Sequence, residues 1–256
     1  MDDLTNKFFD INKLPAEWGI ILFPISMSRI ANSQSPDACL EYIRKISPSK
    51  ILAPTIGLNF LYGDSLYLDN FIAENTSEDA HKKRMIYMQE VEKHKFGMLN
   101  LIDKLKTTEF QIPWAVDFMS WSQALINTKS YATRYGQLKK IYEKDKLFQK
   151  YLKDDVENSG RIYNEAQINF FLEEHLLCYL ISRGEVSFHN NHVRDQQKWI
   201  LWCYPGKPPK ALIYLHQLNP FKLSWKENKF ETAAQYDLLE KKLYDTKNID
   251  LETYSL

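Results

Sequence analysis

A serine, a glutamate and a tyrosine, far apart in the chain, carry most of the chemistry this sequence offers. Ser26 directly follows the short apolar run Gly19–Ile25, which reads as a buried strand. Ligands of open parallel sheets gather at the carboxyl ends of strands, so a serine there is placed as a nucleophile once a base and an oxyanion site stand near it. From position alone the plainer reading is a residue that merely caps the turn. Glu174 lies in Glu165–Ser182, a stretch apolar nearly all round and therefore a buried helix. Its neighbours at three and four residues are Phe170, Phe171, Leu177 and Cys178. A carboxylate in that company must find a partner or have its pKa raised, which is typical of active sites. A structural ion pair with a lysine or arginine from elsewhere is the plain alternative. Tyr204 ends an apolar run before Pro205. Its hydroxyl could enter a cleft, or its ring could belong to the core with a wet tip.

Other patterns point away from metals and nucleotides. His189 and His192 are spaced like metal ligands, but no CxxC or further close pair completes a site, so no metal is expected. The sequence has no Gly-x-Ser-x-Gly elbow, no glycine-rich phosphate loop and no Gly-x-Gly-x-x-Gly fingerprint, so no cofactor is expected. Lys82, Lys83, Arg84, Lys93, Lys95, Lys104 and Lys106 lie on one expected helix. Eleven residues is about three turns, so Lys82, Lys93 and Lys104 align, as do Arg84, Lys95 and Lys106. The two stripes lie nearly opposite each other, so no continuous basic face is shown and a solvated helix is the plainer reading. Lys139, Lys140, Lys144, Lys146, Lys150 and Lys153 form a second cluster.

The elements that must position these groups alternate. After the strand Gly19–Ile25, Ser35-Pro36-Asp37 opens a helix to about Lys45. Lys50–Ile56 reads as a strand parallel to the first. Thr76, Ser77 and Asp79 start a long helix to about Lys106, weakened locally at Gly97. A third strand is expected over Phe110–Val116, a helix over Gln137–Asp155, and the helix Glu165–Ser182 closes at Gly184. Strands are expected over Trp199–Tyr204 and Ala211–His216, parted by Pro205-Gly206 and Pro208-Pro209, and a last helix over Glu231–Tyr244. This order predicts an α/β fold: one domain over the whole chain, with a mostly parallel sheet and helices on both faces.

At 256 residues, the chain can bury a full core without disulfides or metal. Its formal net charge is zero, so no global field draws nucleic acid and any such contact needs a local patch. Cys39, Cys178 and Cys203 are odd in number and sparse, which suits buried thiols in a reducing compartment. The amino terminus begins acidic and has no apolar core of a secretory signal. The apolar runs are too short to span a bilayer. A soluble cytoplasmic protein with no membrane partner is expected.

Four segments together resemble the tRNA-dependent cyclodipeptide synthases. They are Phe23-Pro24-Ile25-Ser26-Met27-Ser28-Arg29, placed like that family's serine loop, and Gly63 to Ala80, like the entry to its tRNA-contacting helix. The others are Asn169-Phe170-Phe171-Leu172-Glu173-Glu174, like its catalytic-helix motif, and Leu201-Trp202-Cys203-Tyr204-Pro205, like its catalytic-tyrosine strand. Order and spacing fit over roughly residues 18 to 217. Of the family's two motif types, Arg29 and Pro205 match the one with a variable residue after the serine and proline after the tyrosine. Phe170 departs from the family, standing where the better-described motif has a tyrosine.

The resemblance implies a Rossmann-like fold akin to the catalytic domain of class I tyrosyl- and tryptophanyl-tRNA synthetases. It implies two aminoacyl-tRNAs as substrates, no ATP, and a monomer. Ser26 would accept the first aminoacyl group, and the second aminoacyl-tRNA would extend it to a dipeptidyl ester that cyclises to a diketopiperazine. Glu174 would bind the incoming ammonium and help remove its proton, and Tyr204 would relay a proton near Ser26. Leu22 and Pro24 would shape the first side-chain pocket, suiting a small apolar residue, with Arg29, Phe170 and Pro205 completing the substrate site. Arg29 could favour an acidic second residue. Lys82, Lys83, Arg84, Lys93, Lys95 and Lys104 would hold tRNA. The rival reading is a non-catalytic tRNA- or protein-binding module that kept a synthetase-like fold.

Overall fold

The computed structural model describes residues 19–46, 56–72, 75–108, 116–186, 199–223 and 234–256. Strand β1 (Gly19–Ile25) is the pivot of the sheet. Its side chains alternate across the sheet, as the two-residue strand period requires. Ile20 and Leu22 enter one apolar cluster, while Ile21, Phe23 and Ile25 enter the other. A strand buried on both faces has no polar side, which is why the run reads as uninterrupted apolar sequence. Fully burying each such side chain contributes about 1.5–3 kcal/mol.

β2 (Ile56–Tyr62) pairs parallel with one edge of β1, from Gly19 opposite Ile56 to Ile25 opposite Tyr62. β4 (Trp199–Tyr204) pairs parallel with the other edge. β3 (Val116–Ser120) lies outside β2, and β5 (Ala234–Asp237) and β6 (Lys242–Asp245) lie outside β4. The order is β3-β2-β1-β4-β5-β6, parallel except for the last strand. Strand order therefore reverses between β1 and β4, where open sheets of this kind form a crevice.

Helices cover both faces. α1 (Pro36–Ile46) and α3 (Ser77–Thr108) pack on the Phe23 side through Cys39, Ile43, Val91, Met98 and Ile102. The other face carries α2 (Asp64–Ile72), α4 (Trp121–Ile126), α5 (Tyr131–Lys144), α6 (Lys146–Asn158), α7 (Glu165–Ser182) and α8 (Lys210–Leu218). α7 begins at the Asn164 cap, whose side chain accepts from the Gln167 amide. It ends in a left-handed turn at Gly184 (φ 68°), where the Glu185 and Gly184 amides donate back to Leu180 and Ile181. α3 runs through Gly97 without a break. A Cβ there would lie 2.7 Å from the Pro36 ring, so this glycine lets α3 approach the start of α1.

Several expected elements are corrected. β2 and β3 start where the expected strands end. Lys50–Thr55 and Phe110–Ala115 lie outside the described residues, as do His189 and His192. Gly57, Asn59 and Asp117 are poor strand formers, and pairing with neighbouring strands overrides that propensity. α2 and α4 were not expected. The helix expected over Gln137–Asp155 is two, because the Asp145 carboxylate caps a new start by accepting from the Leu147 and Phe148 amides. Ala211–His216 is helical, within α8, rather than a strand. Pro209 stands at the helix start, and the two oxygens of Asp155 accept from the Lys210 and Ala211 amides at 2.8 Å. A six-residue apolar run fits either period, and here a distant carboxylate decides it. The helix expected over Glu231–Tyr244 is the β5–β6 hairpin, turned around Asp237, whose side chain accepts from the Leu239 and Glu240 amides.

Candidate active site

The carboxyl ends of β1 and β4 open on a cavity of about 700 Å³. That is within the range of small-molecule sites. Ser26, Arg29, Glu174, Tyr204, Pro24 and Phe170 all line it, from three distant segments of the chain.

Ser26 is the first residue after β1, and its turn is tightly held. Its amide donates to Gln34 Oε1 at 2.8 Å, and its carbonyl accepts from the Arg29 amide at 2.9 Å. Gln34 Nε2 donates to the Pro24 carbonyl at 2.6 Å, and the Gln34 carbonyl accepts from His94 Nε2 of α3 at 2.8 Å. Burial pushes the His94 imidazole below its ordinary pKa, so the ring is neutral. With its proton on Nε2, its Nδ1 accepts from the Tyr62 hydroxyl at 2.9 Å. The Ser26 hydroxyl itself has two partners, Tyr67 Oη at 2.6 Å and Ser28 Oγ at 2.8 Å.

Tyr67 comes from α2, which starts right after β2. The Gly63 amide donates to the Ile25 carbonyl and ties that start to the end of β1. A Cβ at Gly63 would lie 3.4 Å from the Tyr67 ring, so the glycine gives the ring its place. The ring meets Phe170 edge-on, with centroids 5.2 Å apart. The Arg161 guanidinium lies 4.1 Å from the Phe170 centroid and 5.5 Å from that of Tyr67, and it donates to Gln167 Oε1.

Glu174 has no hydrogen-bond or ion-pair partner among the described residues, so the alternative of a structural ion pair is not found there. Burial is the main cause raising its pKa; His175, Arg161 and Arg29 oppose the rise and Asp155 adds to it. Glu173, one residue earlier, points elsewhere and accepts from Trp121 Nε1 at 2.8 Å. Tyr204 also has its pKa raised, first by burial and then by the charge of Glu174, so its hydroxyl keeps its proton. It makes no hydrogen bond to Ser26. The Arg29 guanidinium covers the Tyr204 ring at 5.2 Å and donates to the Pro205 carbonyl.

Two expected substrate contacts are placed elsewhere. Leu22 is completely buried beneath α7, in the apolar cluster rather than on the cavity wall. It shares the parity of Pro24 but sits two residues deeper in the strand. Pro205 is not a wall of the cavity; its carbonyl holds Arg29. The basic residues of α3 do not line the cavity either. Lys82 is exposed and pairs with Glu78, Lys95 pairs with Glu92, and Lys83 lies over the Tyr87 ring. Arg84, Lys93 and Lys104 are exposed. Tyr67, Arg161, Gln34 and His94 escaped the sequence reading. The only signal for Tyr67 was its place in the family-like segment after Gly63.

No protein-family model and no curated protein matches the sequence. Solved structures do match. A cyclodipeptide synthase from Bacillus thermoamylovorans aligns with a TM-score of 0.53 and 16% identity, over 82% of this chain and 85% of that one. One from Fluoribacter dumoffii aligns with a TM-score of 0.51 and 16% identity, over 80% and 86%. A Mycobacterium tuberculosis protein, described as showing that cyclodipeptide synthetases are related to type I tRNA synthetases, aligns with a TM-score of 0.50 and 12% identity, over 76% of each chain. The six-stranded α/β fold of this chain is thus one it shares with solved cyclodipeptide synthases.

Proposed function

We propose that this protein is a cyclodipeptide synthase of the Tyr-Pro motif type, joining the aminoacyl groups of two aminoacyl-tRNAs without ATP. The observation that carries the reading is the meeting, on one cavity at the switch point of the sheet, of Ser26 and a Glu174 without a partner among the described residues. The shared fold supports it.

Ser26 attacks the ester of the first aminoacyl-tRNA and holds its acyl group. The amine of the residue held on Ser26 attacks the ester of the second aminoacyl-tRNA, whose tRNA leaves as its ribose hydroxyl, and a dipeptidyl ester stands on Ser26. The free amine of the dipeptide then attacks the Ser26 ester carbonyl, releases Ser26 Oγ and closes the ring. Tethering makes this last step intramolecular, where effective molarities reach about 10⁵ M or more. In both amine-dependent steps an α-ammonium must lose a proton before it attacks. A carboxylate with a raised pKa is a stronger base than an ordinary one, which suits Glu174 to the task. Tyr204, held under Arg29, forms the cavity wall beside it. The tRNA approaches along α3, and the protein acts as a monomer. With Leu22 away from the cavity, nothing at that position restricts the first residue to a small one. Arg29, engaged by Pro205 and Tyr204, stands at the wall, where an acidic second residue would pair with it.

Incubating the pure protein with a set of aminoacyl-tRNAs, followed by mass spectrometry, should reveal a cyclic dipeptide. Ribonuclease should abolish it. Product made from free amino acids and ATP without tRNA, or no product from any aminoacyl-tRNA pair, would refute the proposal.

A further inference from the structure

The Ser26 hydroxyl has no carboxylate or imidazole within hydrogen-bond reach among the described residues; its partners are two other hydroxyls. We propose that Tyr67 is a catalytic residue, the proton shuttle of the serine. This rests on the function proposed above.

Several observations single Tyr67 out. Its Oη lies 2.6 Å from Ser26 Oγ, the shortest contact the nucleophile makes. The other hydroxyl, Ser28, is exposed on the turn and belongs to an alkyl alcohol, a much weaker acid than a phenol. Tyr204 makes no hydrogen bond to the serine, so it does not compete for this role. The Tyr67 ring is also fixed from several sides: Phe170 meets it edge-on, Gly63 leaves room for it, and Arg161 lies over it. None of those contacts needs the hydroxyl. Its position against Ser26 is therefore not a by-product of packing an oxygen elsewhere. The side chain at position 170 has no hydroxyl, and the ring packed against it supplies one from another helix.

The steps balance without a further reactant. As Ser26 Oγ bonds to the acyl carbon, its proton passes to Tyr67 Oη. The proton of Tyr67 passes to the ribose oxygen, whose bond to the acyl carbon breaks, and that oxygen leaves as a hydroxyl. In ring closure the amine nitrogen bonds to the acyl carbon and the Ser26 ester bond breaks. Tyr67 then gives its proton to Oγ and takes up the one released by the amine. Tyr67 ends each step as a neutral phenol.

The test is Tyr67→Phe, which keeps the ring and its packing. Single-turnover labelling of Ser26 with radiolabelled aminoacyl-tRNA should slow by about 10²- to 10⁴-fold, the usual contribution of a positioned acid or base. Binding of the tRNA, followed by filter retention with Ser26→Ala as the background in both forms, should be unchanged. Ser28→Ala should label at nearly the wild-type rate. Labelling of Tyr67→Phe within about threefold of wild type would overturn the role, because about tenfold per 1.4 kcal/mol leaves no shuttle of that size. Equal loss in Tyr67→Phe and Ser28→Ala would overturn it too, by pointing to a general disturbance of the turn. If the wild type itself takes no label, the function beneath the proposal fails and this role fails with it.

Discussion

On the β1 side of the cavity, the amide, carbonyl and hydroxyl of Ser26 each have a partner, and the partners are themselves held. Gln34 clamps the turn, His94 clamps Gln34, and Tyr62 donates to the other ring nitrogen of His94. On the α7 side, Glu174 sits among aromatic and aliphatic neighbours with no partner among the described residues. On the proposed function, the difference follows from what each group is for. A nucleophile works only within a few tenths of an ångström of its target, so its surroundings gain from over-determination. A base gains strength from being left desolvated and unpaired, and a hydrogen-bond partner would remove the pKa rise that makes it useful.

The largest effect should come from the held side. Ser26→Ala removes the atom proposed to carry the acyl group, so both the labelled enzyme and the cyclic product should disappear. The fold should persist, because that hydroxyl bonds only to two other hydroxyls at the cavity. Peptide mass mapping of the labelled wild type should place the ester on Ser26. A label on any other residue would break the comparison at its root.

Glu174→Gln tests the unpaired side and should split rate from stability. The first acyl transfer to Ser26 should survive, while the amine-dependent steps slow by about 10²- to 10⁴-fold. Stability should move the other way. A carboxyl whose folded pKa is raised stabilises the protein below the ordinary carboxylate range, and that contribution is lost as pH rises through the folded value. At neutral pH the ionised group therefore opposes folding. Glu174→Gln should melt higher at pH 7–8, by about 2–4 °C for each kcal/mol relieved, with the gain shrinking toward acid pH. A lower melting temperature across that range would mean that the charge has a stabilising partner.

Gln34→Ala should loosen the turn without touching the cavity chemistry. It leaves the Ser26 amide and the Pro24 carbonyl without their partner, at a cost of about 1–3 kcal/mol for each buried group left unpaired. Chemical denaturation reads that cost. The labelling rate of Ser26 should fall while the effect of Glu174→Gln on the later steps stays the same, since the two sides are held by different elements.

How much of this was legible in the sequence differs between the two sides. The bounds of α7 could be read from its all-round apolar pattern and Gly184, and those of β1 and β4 from their short apolar runs. The isolation of Glu174 followed from neighbours at three and four residues. The network around Ser26 could not be read. Gln34, Tyr67 and His94 meet Ser26 or one another across gaps of 8, 41 and 60 residues, and no local period announces such contacts. Tyr67 is one of 15 tyrosines, and only the fold selects it. The same holds for α8, whose start is set by Asp155 across 55 and 56 residues. Local pattern sets an element's burial; the partners of its polar groups come from tertiary packing.

The smallest expected effect lies outside both sides, on the exposed face of α3. Lys82 and Lys95 already pair with acidic neighbours, and Lys83 lies over an aromatic ring, so part of the positive charge is spent locally. Exposed pairs of this kind are worth only about 0–1 kcal/mol and give way readily to a phosphate. Replacing Lys82, Lys93 and Lys104 together removes one aligned stripe and leaves the cavity and the Ser26 turn untouched. If that stripe holds the acceptor arm, KM for aminoacyl-tRNA should rise, and its dependence on log salt should flatten by about 0.7 per lost contact on single-stranded RNA. The single-turnover rate at saturating tRNA should stay at the wild-type value. An unchanged salt slope would move the docking surface to Lys139–Lys153, where Lys139 and Lys150 lie over Tyr135 and Tyr151 on α5 and α6. A fall in the saturating rate would instead mean that α3 reaches the nucleophile, for which His94 offers a route, since its side chain joins the helix to the Ser26 turn.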